Sequence, residues 1–302
     1  MNIGVIGGSG FIGSHVVDKL VDGGHNVTVF DIMKPHRDDV LHKNIDITDL
    51  TNTKVALTGD YDVIYLLAAM ADVNDCYKNP VTTIEVNVLG VANVLEACVK
   101  SEIKRLIFAS TVWTYGLSDE VQVNEDTPLN IANKEHIYTA SKVAAETLIQ
   151  SYNNLYDQEF TILRYGIPYG PRARGGTVLP IFIRLATEGK PMTIQGDGSS
   201  HRKFIFVEDL ARGNVMALDK RAKNQVINLE GPRNISVKEV AETVKDLFKG
   251  EAEIVYVEAR PGDYEGKVVS NSKGKDLIGW EPIVDFNEGA KSYFDWYRKN
   301  IK

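Results

Sequence analysis

Gly7-Gly8-Ser9-Gly10-Phe11-Ile12-Gly13 is the segment that most restricts how this chain can fold. A short apolar run, Asn2–Ile6, precedes it, and an amphipathic stretch reaching Asp22 follows. That context predicts a strand, a tight turn and a helix. Glycine lets the backbone turn sharply and approach a pyrophosphate, which then rests on the amide groups at the helix N-terminus. Gly7, Gly10 and Gly13 make one possible spacing, and Gly8, Gly10 and Gly13 another; the spacing leaves both open.

β-rich runs recur at Asn26–Phe30, Val63–Leu67, Lys104–Ala109 and Phe160–Tyr165, with helical patterns at Pro80–Ser101 and His136–Tyr156 between them. Alternation of this kind predicts an α/β fold, a Rossmann-type doubly wound parallel sheet covered by helices on both faces. After Gly170-Pro171 the pattern loosens, with helices expected at Pro180–Glu188, Val237–Phe248 and Phe286–Lys299 among short strands and turns. The expected division is a dinucleotide-binding domain over 1–170 and a smaller C-terminal α/β substrate lobe over 171–302, sharing some strands or helices with the first. The 302 residues carry a net charge of −7, which argues against a general nucleic-acid binder. Two cysteines, Cys76 and Cys98, offer neither a disulfide framework nor metal-ligand spacing, so no metal site is expected. A strand-like run from residue 2 speaks against a secretory leader, no apolar stretch is expected to span a bilayer, and a reducing cytoplasm is the default location.

Asp31 closes the second strand-like run. A carboxylate there accepts hydrogen bonds from an adenosine ribose and repels a 2′-phosphate, and Ile32 and Met33, not cations, follow it, so NAD is favoured over NADP. Further along, Tyr138-Thr139-Ala140-Ser141-Lys142 puts a tyrosine and a lysine on one helical face. Tyrosine ionises near pH 10. A nearby ammonium, or a bound nicotinamide cation, lowers that value, and a partly ionised tyrosine can take a proton from a hydroxyl.

These residues, taken in order, resemble the extended short-chain dehydrogenase/reductases, in particular the NAD-dependent nucleotide-sugar epimerase/dehydratase family. The resemblance runs nearly end to end: Gly7, Gly10, Gly13 and Asp31; Asp46-Ile47; Leu67-Ala68-Ala69; Asn87 opening Asn-Val-x-Gly; Ser110-Thr111 before Tyr115-Gly116; Tyr138 and Lys142; Leu163-Arg164-Tyr165; Tyr169-Gly170-Pro171-Arg172; Arg202 through Asp209; Arg260-Pro261-Gly262-Asp263; and Gly279-Trp280. It implies NAD held by Gly7, Gly10, Phe11, Ile12, Gly13, Asp31, Asp46, Ile47, Leu67, Ala68, Ala69, Asn87, Ser110, Tyr138, Lys142 and Tyr165. It implies a catalytic set of Thr111, Tyr138 and Lys142. Substrate contacts are implied for Thr111, Tyr138, Arg172, Arg174, Arg202, Arg260 and Asp263, with Arg202 and Arg260 on the diphosphate of a sugar nucleotide.

The family's dehydratases carry an Asp-Glu pair after the threonine; here those positions are Val112-Trp113, which counts against dehydration. The implied activity is 4-epimerisation of a UDP-sugar, UDP-glucose/galactose or UDP-glucuronate/galacturonate. It proceeds by transient oxidation at C4, rotation of the 4-keto sugar and return of the hydride. A 4-ketoreductase or a decarboxylase using the same triad is the alternative, and a catalytically silent NAD-binding regulator a further one. Many relatives have asparagine where this chain has Ile167, and Arg174 is an extra cation near the substrate lobe. A homodimer through Pro80–Ser101 and His136–Tyr156 is also implied.

Overall fold

Ile3 and Val5 are fully buried on one face of the first strand, while on the other Gly4 leaves space that Ile64 and Phe30 fill. A strand covered on both faces reads as a continuous apolar run, and this is why the first strand sits at the centre of a parallel sheet. The computed structural model describes residues 1–132, 136–258 and 267–301. Its strands in chain order are β1 (Asn2–Ile6), β2 (Asn26–Phe30), β3 (Leu41–Lys43), β4 (Val63–Leu66), β5 (Arg105–Thr111), β6 (Gln122–Val123), β7 (Glu159–Tyr165), β8 (Ile167–Tyr169), β9 (Met192–Gln195), β10 (His201–Phe206), β11 (Gln225–Leu229), β12 (Asn234–Ser236), β13 (Ile254–Val257) and β14 (Val268–Val269). The helices are α1 (Phe11–Asp22), α2 (Leu50–Ala56), α3 (Val73–Lys78), α4 (Pro80–Ile84), α5 (Gly90–Lys100), α6 (Ile137–Tyr156), α7 (Val178–Thr187), α8 (Val207–Met216), α9 (Val237–Leu247), α10 (Ser272–Ile278) and α11 (Phe286–Asn300).

Seven strands form one parallel sheet in the order β11-β7-β5-β4-β1-β2-β3. Val16, Val17 and Leu20 of α1 join Leu210 and Ala211 of α8 over one face. Val91, Val94 and Leu95 of α5 join Ala145 and Ile149 of α6 over the other. The strand order reverses between β1 and β4, so a crevice opens at their carboxyl ends, where ligands bind in folds of this kind.

A second apolar core, including Tyr169, Phe204, Phe206 and Phe286, holds the sheet β12-β10-β8 and the pair β13-β9 against α7, α9 and α11. The division at 170 is crossed in both directions. β8 precedes it yet pairs with β10, while β11 and α8 follow it yet complete the large sheet and its helical cover.

Two differences from the sequence reading have clear causes. β5 runs on to Thr111, two residues past the expected end, because it pairs with β7 as far as Tyr165. Counted through a π turn at Glu85–Leu89, helix 80–100 does reach the length and mean hydropathy (21 residues, 1.3) of a membrane-crossing helix. Half of it is buried, its inner residues packed on the sheet.

Candidate active site

Gly7 ends β1 with φ +84°, and a Cβ there would stand 2.4 Å from the Ala68 amide nitrogen. A Cβ on Gly13 would stand 2.0 Å from the Gly7 carbonyl oxygen. Only glycine allows the turn, the first turn of α1 and the end of β4 to close on one another. Gly10 caps α1 without a side-chain hydrogen bond, so the amides of the first turn are left to a ligand. Asp31, 8% exposed, accepts from the Ser9 and Met33 amides and thereby fixes the turn against the end of β2. Bare glycines, a free helix N-terminus and a carboxylate beyond the second strand fit a dinucleotide. NAD bound there would supply the two-electron acceptor for oxidation of a substrate.

The other residues expected around NAD divide into those at the crevice and those elsewhere. Leu67, Ala68 and Ala69 follow β4, where the amides of Leu67 and Ala68 both donate to the Ile6 carbonyl beside the glycine turn. Phe11 and Ile12 form the first turn of α1. Asn87 lies on the π turn, where its amide side chain accepts from Met70 N (2.8 Å) and donates to Met70 O (2.9 Å) and Ser141 Oγ (3.0 Å). It therefore acts as a clamp between the loop after β4 and α6. Asp46 is exposed and holds Thr48, while Ile47 is buried over Gly90. Ser110 Oγ turns under the sheet to donate to Glu146. The Tyr165 side chain does not face the crevice. Alternation along β7 points it into the α1/α8 core, where its hydroxyl donates to Asn214 of α8.

Thr111, Tyr138 and Lys142 come together at the mouth of the crevice. Thr111 ends β5, 6% exposed, and its hydroxyl accepts from Trp113 N while lying close enough to Tyr138 to favour the phenolate. His136 caps α6 and Tyr138 occupies the first turn, placing Lys142 one turn further along. Lys142 is 3% exposed, donates to the Ala109 carbonyl (2.8 Å), and lies 4.7 Å from the Phe108 ring centroid and 6.0 Å from that of Tyr138. Burial lowers the Lys142 ammonium to about 8, with Glu146 opposing that fall. Burial also pushes the Tyr138 phenol up from its ordinary value, only partly offset by Thr111. This differs from the expectation that Lys142 lowers it. The ammonium is committed to Ala109, so desolvation outweighs its pull, and a positive ring in the crevice is the remaining means of ionising the phenol.

Aromatic rings wall the site. Trp113 stands edge-on to Tyr138 (6.4 Å) and to His136 (5.1 Å), and His136 stacks on Tyr138 (6.1 Å). An open cavity of about 450 Å³ beside them is lined by Val73, Asn74, Tyr77, Pro80, His136 and Ile137. Trp113 therefore faces the site and is not simply core. Sequence reasoning did not single out His136 and Glu146; Glu146 follows Lys142 by one helical turn, a spacing that could have found it.

The arginines expected at the substrate are scattered. Arg172, at φ +66°, pairs with Asp18 of α1 (2.8 Å) and so belongs to the outer face of the glycine-turn helix. Arg174 is exposed on a loop whose Gly176 comes close to Asp72, the cap of α3. Arg202 lies on β10, its guanidinium on Ser200 and the His201 carbonyl. Arg260 and Asp263 lie outside the described residues.

A glycine turn at the switch point, an acid beyond the second strand, and a Thr-Tyr-Lys set define a dinucleotide-dependent redox enzyme of the short-chain dehydrogenase/reductase class. Residues 3–229 match the NAD dependent epimerase/dehydratase family, and the chain belongs to it. A UDP-N-acetyl-alpha-D-glucosaminuronate decarboxylase of Bacillus cytotoxicus is 32% identical over 98% of this chain and 97% of its own. A UDP-glucuronate 4-epimerase of Thermodesulfobacterium geofontis is 32% identical over 99% of this chain and 96% of its own. Among solved structures, the UDP-glucose 4-epimerase of Thermotoga maritima, crystallised with UDP-glucose, superposes with a TM-score of 0.91 at 30% identity over the whole of both chains.

Proposed function

We propose that the protein is an NAD-dependent UDP-sugar 4-epimerase acting on UDP-glucose/galactose or UDP-glucuronate/galacturonate. The observation that carries this reading is Thr111 beside Tyr138 with Lys142 one helical turn further on, and Val112-Trp113 directly after Thr111. Tyr138 takes the proton from the sugar's C4 hydroxyl while Thr111 holds the same oxygen. Lys142 steadies the resulting phenolate. No carboxylate follows Thr111 to remove a further proton, so the 4-keto sugar is left to turn over and be reduced on its other face.

Arg174 is the residue we assign to a C6 carboxylate, and Arg202 to the diphosphate. A 4-keto uronic acid is a β-keto acid and loses CO₂ unless the carboxylate is held, so epimerase and decarboxylase differ at that group. Incubating the purified protein with NAD and either UDP-glucose or UDP-glucuronate decides among the readings. Formation of the C4 epimer supports the proposal, CO₂ release assigns a decarboxylase, and neither product overturns both.

We further propose a homodimer through 80–101 and 136–156. Exposed Val81, Ile84, Leu89 and Leu155 on these helices support it, and light scattering tests it. Cytoplasmic location is proposed because Cys76 and Cys98 are free thiols.

A further inference from the structure

Behind Lys142 lies a buried charge cluster that the reaction above does not use. Glu146 is 4% exposed and one helical turn beyond Lys142. Arg164 of β7, 5% exposed, grips its carboxylate at two points, Nη2 to Oε2 at 2.7 Å and Nε to Oε1 at 3.1 Å. Ser110 of β5 donates to the same Oε1. Arg164 also lies 4.9 Å from the Tyr115 ring centroid, and its Nη1 is buried without a hydrogen-bond partner.

We propose that Glu146, clamped by Arg164 and Ser110, is a positioning residue that keeps the Lys142 ammonium charged beneath the crevice. This rests on the reading of Tyr138 and Lys142 as the redox pair. Lys142 has three N–H donors to satisfy and donates one to the Ala109 carbonyl. Among the described residues, the groups facing it include the Phe108 ring from β5, Cys76 from α3, Tyr138 one turn earlier and Glu146 one turn later. Of these, Glu146 favours the charged form most, with Cys76 acting in the same direction, through a medium that screens weakly. The clamp sets how strongly it acts. Arg164 offsets part of the Glu146 charge, so releasing that clamp strengthens the hold of Glu146 on the Lys142 proton.

Two single substitutions therefore move Lys142 in opposite directions. Glu146→Gln removes the anion and lowers its midpoint; Arg164→Met releases the anion and raises it. A group that merely packs the site would move neither. The test is a pH titration of ¹³C-labelled lysine side chains by NMR on the protein without dinucleotide, the Lys142 signal being the one missing in Lys142→Met. For Glu146→Gln the midpoint is expected to fall from about 8 by roughly one pH unit or more, and for Arg164→Met to rise. Should either single variant fail to fold, Glu146→Gln/Arg164→Met leaves no orphan charge and its midpoint is expected to fall, by less than in Glu146→Gln because the opposing Arg164 cation goes as well. A midpoint that stays in place in the folded Glu146 variant, single or double, overturns the proposal. In the active enzyme, the high-pH limb of kcat should move down with the Glu146→Gln titration. The NMR result stands whether or not the protein proves to be an epimerase, so failure of one reading is separable from failure of the other.

Discussion

Tyr138 and Lys142 are both pushed toward their neutral forms by the same burial. For Tyr138 this means that a neutral hydroxyl is the resting state and that the proton transfer needs a cationic partner in the crevice. Tyr138→Phe should cut turnover about 10²-fold or more, the usual weight of a general acid-base group, while calorimetry still shows NAD binding. Near wild-type turnover in that variant would sink the mechanism. For Lys142 the linkage runs through stability. The folded value of about 8 lies below the ordinary 10.5, so the unfolded chain binds more protons between those limits. The cost of the buried cation is fully present below pH 8 and relieved as pH rises through 10.5. Lys142→Met should therefore be more stable than the parent at pH 7, by at most about 3 kcal/mol, with the gap closing toward pH 10.5. Denaturant midpoints at the two pH values check it.

At the scale of elements, the glycine turn was the most legible part of the chain, because its constraint is local. Neighbouring backbone stands where any Cβ would be. Gly13→Ala should abolish NAD binding, read by loss of the cofactor's effect on the melting temperature. The π turn was not legible. Its purpose is to aim Asn87 at Met70 and Ser141, and those partners come from a distant loop and helix. Insertions of this kind often mark functional positions in helices. Asn87→Leu should lower stability by about 1–3 kcal/mol through the stranded Met70 amide and carbonyl, and should weaken the extra protection that NAD gives. Full retention of that protection would remove the clamp role. β3 was missed for a related reason: Leu41-His42-Lys43 has no apolar alternation, and pairing with β2 alone makes it a strand.

For the whole molecule, the boundary at 170 separates sequence patterns more cleanly than it separates packed units. α8 begins at Val207-Glu208-Asp209, a stretch with little apolar periodicity, yet it covers the α1 face of the large sheet. Arg105 of β5 binds the Ala217 and Leu218 carbonyls after α8, and so ties the late segment to the early sheet. A fragment of residues 1–170 should then expose the apolar face beneath α8 and lack β11. It is expected to aggregate or give a poorly dispersed NMR spectrum, whereas a cooperatively folded 1–170 would restore the simple division.

By itself, the sequence determined the parallel sheet, the dinucleotide turn, the acid at Asp31 and the one-turn spacing of Tyr138 and Lys142, while Thr111 was reached through the family resemblance. The sheet, the turn, Asp31 and the Tyr138–Lys142 spacing depend on residues within one turn or one strand of each other, where backbone geometry fixes the outcome. Tertiary structure decided the rest. It turned the Tyr165 side chain into the core, gave Arg172 to Asp18, set Trp113 and His136 around Tyr138, and placed Glu146 and Arg164 behind Lys142. The reason is that a long side chain's partner, and a buried group's charge, depend on which distant segments pack against it.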